Sequence, residues 1–245
     1  MCSASTSCVA MAWAVCVGLD DVMEDLVVRP IATKRAERII MTRHYALCIP
    51  QIMHAFGLVR GSELLGVVTY GIPANCSFSN LEYPILELNR LVLLHNRKNE
   101  ASFLIANSLR QIPTPHVVVS YADTAMGHIG CIYQATNWIY TGESASRDKF
   151  KVFGDVKHSK TIFEKYGTNS LGALRASGVE IEAEKMPPKH RYFYPLPTSK
   201  KQKKQMTAWI DEKYGIKPYP KGDTQRYNIQ DIIDAKPKKP GGFGL

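Results

Sequence analysis

No CxxC pair occurs in the 245 residues, although six cysteines stand at positions 2, 8, 16, 48, 76 and 131. Scattered singly, they argue against a zinc ribbon and for reduced thiols in a cytosolic compartment. No apolar run is long enough to span a bilayer, so no membrane partner is expected. The run CVAMAWAVCVGL near the start has about the length of a secretory apolar core. No Lys or Arg precedes it, however, and DDVMED follows, which disfavours a signal peptide. Residues 1–22 are read as an N-terminal extension, with the domain beginning near Met23. No internal repeat is present, which excludes stacked-repeat architectures. Acidic residues are outnumbered, 22 against 31 Lys and Arg, giving a net charge of +9 and a pI near 9.2. That balance favours a polyanionic partner, most often nucleic acid.

What is present suffices for a full core: 45% of the residues are hydrophobic and 22% charged, both ordinary for a globular chain. A short strand is expected at Leu26–Pro30, then a helix over TKRAERIIMTRHYA with Thr33 as N-cap and His44 and Tyr45 at its end. HAFGLVRGSELLGVVTYG reads as a hairpin turning at Gly61, and residues 73–84 as a polar loop. In the strand LELNRLVLL, alternation places Leu86, Leu88, Arg90 and Val92 on one face and Glu87, Asn89, Leu91 and Leu93 on the other. KNEASFLIANSLRQI is a helix ending before Pro113. SKTIFEKYG and SLGALRASG form a helical pair stopped by Gly167 and Gly178, and KHRYFYPL a final strand. Residues 198–245, with SKKQKKQ at their start, one amphipathic helix around MTAWIDEKYG and KPKKPGGFGL at their end, read as a basic C-terminal appendage whose last ten residues are disordered.

Between these elements lies HVVVSYADTAMGHIGCIYQATNWIYTG, His116 to Gly142. The β-branched run Val117–Val119 marks a buried strand. Gly127 and Gly130 permit close backbone approach as a helix begins, and Asn137 is a left-handed cap before a strand opening at Trp138. Asp123 therefore stands at a strand's C-terminal end, where open α/β sheets bind ligands, with Tyr133 ten residues on. The order of strands and helices implies one mixed α/β sheet flanked by helices.

ELNRLVLLHNRKNEASFLIANSL and IYQATNWIYTG resemble the GNAT acyltransferase fold, in which a helix N-terminus holds the cofactor pyrophosphate and a tyrosine follows on a later helix. The departure is HNRKNEAS, which contains no glycine where the GNAT phosphate loop is rich in it. RHY after the first helix, ELNRLVL, SYAD with its tyrosine, and KHRYFY together resemble the Mom family of phage DNA-modification proteins over about residues 23–195. The resemblance implies a GNAT-like enzyme converting adenine in double-stranded DNA to its N6-carbamoylmethyl derivative. Such an enzyme shields phage DNA from restriction in the cytoplasm of the infected bacterial host. The resemblance also implies iron and acetyl-CoA or a related small-molecule acyl donor. Two further readings stay open: an acetyl-CoA-dependent N-acyltransferase on a protein or small-molecule amine, and a non-catalytic DNA-binding protein on a GNAT scaffold.

With the family in view, His44, Tyr45, Asp123 and Tyr133 are the candidate iron ligands, since hard oxygen donors dominate the set and phenolate ligation has precedent in haem proteins. The plainer reading is an N-cap aspartate, a helix-end histidine and two half-buried tyrosines. Tyr133 also reads as a general acid and Asp123 as a proton-transfer group. Arg90, its charge in need of a partner, would orient the donor with Ser108, although a helical serine commonly bonds its own backbone. Asn96, Arg97 and Lys98 open a helix whose N-terminus suits phosphate, or form a solvated turn. His128 and Cys131 are expected in core or supporting roles. For DNA, Lys189, His190, Arg191, Tyr192 and Tyr194 alternate charge with aromatics able to stack on an extruded base, and Lys200, Lys201, Lys203 and Lys204 meet phosphates.

Overall fold

A computed structural model describes residues 25–46, 48–73, 76–78, 81–157 and 159–222. The extension 1–22 and the last ten residues lie outside them. The chain enters on β1 (Leu26–Pro30), crosses on α1 (Thr33–Arg43) and forms the hairpin β2 (His54–Arg60) and β3 (Glu63–Gly71). β4 (Ile85–Leu93), α2 (Glu100–Leu109), β5 (His116–Asp123), the short α3 (Cys131–Ala135) and β6 (Ile139–Glu143) follow. A second unit then interrupts the sheet: β7 (Arg147–Val152), β8 (Asp155–Lys157), α4 (Ser159–Tyr166), α5 (Leu171–Ala176) and β9 (Ile181–Met186). The chain returns on β10 (Lys189–Leu196) and ends in α6 (Lys200–Tyr214).

Seven strands make the main sheet in the order β1-β2-β3-β4-β5-β10-β6. It is the mixed α/β sheet flanked by helices that the sequence implies. All neighbours are antiparallel except β4 and β5, whose parallel register holds for only three pairs, Ile85↔Val117, Leu86↔Val118 and Glu87↔Val119. Beyond Glu87 the register carries no further pair. β4 bulges there instead: Tyr70 pairs with Leu88 and Thr69 with Arg90, leaving Asn89 as the extra residue. Its amide holds the kink, accepting from Thr69 Oγ1 at 2.6 Å and donating to Gln51 O at 3.0 Å. The loop approaches so closely that a Cβ at Gly71 would lie 1.8 Å from Gln51 O. The bulge corrects the facing expected from strict alternation. Leu86 and Leu88 share a core with Leu91 and Leu93, whereas Val92 packs on the opposite face, the face that Arg90 shares with its partner Thr69.

Two layers of helix cover the sheet. Leu104 and Ile105 of α2 pack on Leu86, Val118, Trp138 and Tyr192. On the other face Ala36 and Ile40 of α1 meet Val59, Val67 and Val92, and Met206 and Ile210 of α6 meet Val117, Val119 and Phe193. α6 is thus part of the domain, in contrast to the appendage expected from 198 onward. The following segment is tied in as well, Lys217 N donating to Tyr140 O at 2.9 Å and the Tyr219 hydroxyl to Trp138 O at 2.6 Å. At the start of α1, Ala32 occupies the cap position without a side-chain cap, so Thr33 is the first helical residue rather than the cap. No helix among the described residues is long and apolar enough to cross a membrane.

The three-stranded sheet β8-β7-β9 was not legible in the sequence, because its strands are short and mostly charged. With α4 and α5 it builds a separate core of Val152, Ile162, Leu174, Val179 and Ile181. The expected glycine stops are present, Gly167 and Gly178 both at positive φ. Met206→Ala is expected to cost about 2–5 kcal/mol in denaturant unfolding, the range for truncating a buried large apolar side chain. Unfolding indistinguishable from the parent would mean that α6 is only appended.

Candidate active site

Where β4 and β5 part, a cleft of about 1060 Å³ opens between their C-terminal halves. Asp123 stands on its wall at the end of β5. One carboxylate oxygen caps the 3-10 turn Thr124–Met126, accepting from Ala125 N at 3.2 Å. The other accepts from Lys189 Nζ at 2.7 Å and from the Tyr45 hydroxyl at 3.3 Å. Asp123 is therefore both the N-cap of the plainer reading and a cleft residue. Lys189, half-exposed, enters from the first residue of β10, and Ser144 fixes its backbone through hydrogen bonds at both N and O.

Gly130, at φ +79°, turns the chain into α3 with no room to spare, since a Cβ there would fall 2.5 Å from the Tyr192 ring. This turn carries Tyr133 to the cleft wall, its hydroxyl 2.8 Å from Ser120 Oγ. Burial, with a smaller contribution from Glu87, pushes the Tyr133 phenol up to about 12. Tyr133 is thus a protonated phenol at neutral pH, able to give a proton. His44 stacks on Tyr45, their ring centroids 4.4 Å apart, and the His128 ring lies edge-on to Tyr45. Burial lowers the pKa of His128, which favours the neutral, proton-accepting imidazole.

The model of the Mom protein family matches residues 25–221. The chain belongs to the Mom family. The methylcarbamoylase Mom of Escherichia phage Mu is 28% identical over 214 residues, covering 81% of this chain and 85% of that protein. Among solved structures, a Bacillus subtilis acetyltransferase in complex with CoA is 10% identical at a TM-score of 0.39, over 70% of this chain and 99% of that one. The yncA protein of Salmonella typhimurium with acetyl-CoA is 11% identical at 0.42, over 72% and 96%.

In this Mom-family chain, His44, Tyr45, Arg90, Asn96, Arg97, Lys98, Asp123, Tyr133 and Lys189 all line the one cleft. The iron expected of the four among them, His44, Tyr45, Asp123 and Tyr133, gains no support from the described residues. Among the described residues no three His, Cys, Asp or Glu side chains gather to hold a metal. The Asp123 carboxylate is engaged by Lys189 and Tyr45, and His44 Nδ1 accepts from Ala46 N at 3.0 Å. Arg90 donates to Asn89 O at 2.6 Å and to Cys48 Sγ at 2.9 Å, while its buried Nε–H has no partner among the described residues. At the α2 start, Asn99 is left-handed and the buried Glu100 accepts from Arg97 N at 2.9 Å. An anion there would meet the side chains of Arg97 and Lys98 more than free helix N–H groups.

Other expectations are corrected. Ser108 does not face the cleft: it is wholly buried, donating to Ile105 O at 3.0 Å and lying 2.7 Å from the Tyr70 hydroxyl. In KHRYFY only Lys189 reaches the cleft, because β10 is paired on both sides inside the sheet and its alternating aromatics are packing. Tyr192 is buried with its hydroxyl donated to Ile129 O at 2.5 Å, and Tyr194 packs against Trp138. His190 Nδ1 lies 2.8 Å from the Tyr140 hydroxyl. Arg191 donates to Thr141 Oγ1 at 2.9 Å and lies over the Tyr214 ring. Lys200, Lys201, Lys203 and Lys204 are exposed on α6, which begins beyond the opposite end of β10 from Lys189.

Sequence reasoning missed Glu87 as a cleft residue, at the last bonded pair before the strands part, and gave His128, which lines the cleft, only a core or supporting role. One consequence concerns alkali. Tyr133, Tyr121 and Tyr192 are all pushed up to about 12, chiefly by burial. Unfolded tyrosine ionises near 10. Their contribution to stability is therefore complete below about pH 10 and is lost as pH rises through about 12. Tyr133→Phe is expected to make that loss shallower in chemical unfolding measured across this range; an unchanged slope would contradict the buried, protonated phenol.

Proposed function

We propose that this chain is a DNA-modifying transferase that places a carbamoylmethyl group on N6 of adenine, working in the cytoplasm of a phage-infected cell and protecting phage DNA from restriction. The observation that carries the reading is the charge of the cleft. Arg43, Arg90, Arg97, Lys98, Arg147 and Lys189 surround its proton-handling groups, with Glu87 and Asp123 opposing them. Such a cationic cleft concentrates a polyanion, and phosphate contacts supply most of the affinity for DNA. Its volume stands at the upper end for small-molecule sites, which suits an extruded base together with a donor. Adenine N6 is hidden in the stack, so the base must leave the duplex to react.

The chain's own groups then have distinct tasks. His128, neutral through burial, and Asp123 are placed to take the proton that the N6 amine gives up as it gains carbon. Tyr133, protonated, is placed to donate one to a leaving group. Arg90, with its unpartnered Nε–H, and the Arg97–Lys98 pair would orient an acidic or acyl donor. No step is assigned to iron.

DNA from cells expressing the chain, digested to nucleosides and weighed by mass spectrometry, is expected to contain deoxyadenosine heavier by a carbamoylmethyl group. Asp123→Asn, which can still cap Ala125 N, should abolish that species while the protein remains folded. Unmodified deoxyadenosine from soluble parent protein beside a working positive control would refute the reaction. It would favour the N-acyltransferase reading, or, if DNA binding remained, the non-catalytic one.

A further inference from the structure

The inserted unit, residues 144–188, has its own sheet and its own core, yet it belongs to the cleft at one end: Ser144, Arg147 and Met186 line the wall. From Arg147 the strand β7 leads away to a two-residue turn, Phe153–Gly154, closed by the pair Val152↔Asp155. Both turn residues have positive φ, 50° and 79°, the conformation of a type I′ hairpin turn. That turn favours Asn-Gly, and a bulky side chain in its first central position is strained. Phe153 gains no burial in return. It is 59% exposed, and Val156 beside it on β8 is 56% exposed. An aromatic ring held out in water, on backbone that would accept asparagine at less cost, has no structural explanation among the described residues.

The charges along β7 say what the ring would meet. Phe150 and Val152 turn toward the unit's own core. By alternation Arg147, Lys149 and Lys151 share the opposite face, in a row from the cleft wall to the tip. Glu182 and Glu184 of β9 oppose part of this charge. One Glu184 carboxylate lies 3.9 Å from both Lys149 and Lys151. These are exposed, weakly held pairs that a phosphate can displace. Five residue steps at about 3.3 Å put Val152, at the foot of the turn, about 17 Å beyond Arg147. At about 3.4 Å per base pair, that is about five base pairs along a duplex seated in the cleft.

We propose that the β7–β8 hairpin is a duplex-DNA arm: its row of cations tracks the backbone away from the modified base, and Phe153 contacts a groove about five base pairs off. The proposal rests on DNA being the substrate of the cleft, and it assigns a partner to a surface that the family relationship leaves unassigned.

Phe153→Asn in the full-length chain separates structure from recognition, because the two effects have opposite signs. The variant is expected to unfold at a higher temperature than the parent. It should also bind a long duplex about tenfold more weakly, the loss expected from one aromatic–DNA contact. Phe153→Gly, equally tolerant of positive φ, should weaken binding in the same way. Lys151→Met is expected to lower the salt slope of binding by about one, and Phe153→Asn to leave that slope unchanged. Duplexes ending within about three base pairs of the cleft-bound base should bind parent and Phe153→Asn equally, since they do not reach the tip. Equal binding of the long duplex by parent, Phe153→Asn and Phe153→Gly would overturn the arm, leaving the tip to a protein partner. Binding is read without chemistry, so the two proposals fail separately. A parent that needs Phe153 for duplex binding but leaves deoxyadenosine unmodified would overturn the reaction and keep the arm.

Discussion

The bulge at Asn89 is the constraint on which the site depends. β4 and β5 run parallel for three pairs and then lose their register, because β4 takes an extra residue toward β3 and is fixed there through the Asn89 amide. A bulge bends its strand and increases the local twist. Here it leaves the C-terminal halves of the two central strands without each other as partners. Everything attributed to the cleft follows from that parting: Glu87, Arg90 and the 94–99 loop line it from β4 and beyond, Asp123 from the end of β5.

The same geometry explains how acid, base and charge coexist within one pocket. Asp123 lies at a strand end, held by a turn N–H, a phenol and an ammonium, so its position is set by three elements at once. Tyr133 sits deeper, where burial keeps its proton on. His128 lies between these extremes and is held toward neutrality. Pairs of groups whose surroundings push them apart in this way are suited to dividing proton donation and acceptance between them.

Much of this was readable from the residues. The β-branched run at 117–119, the glycines at 127 and 130 and the asparagine at 137 gave strand, turn, helix and cap in the right places, and so located Asp123 and Tyr133. What failed did so for identifiable reasons. A one-residue bulge is invisible to alternation, and so Arg90 was placed on the wrong face. KHRYFY carries the same mixture of charge and aromatics whether a strand lies at a surface or at the middle of a sheet, and only its partners β5 and β6 decide. The amphipathic helix around MTAWIDEKYG was legible, but not the sheet face on which Met206 and Ile210 pack. The charged strands of the inserted unit show too little apolar alternation to stand out, because their core is supplied largely by α4 and α5.

The central claim is that adenine reacts in the opening between β4 and β5. Photocrosslinking with a duplex carrying one photoreactive adenine, followed by peptide mapping, tests it directly. The label is expected on peptides containing 87–99 and 120–133. A label confined to α6, at the far end of β10, would contradict the account and move the DNA site to the lysine face of that helix.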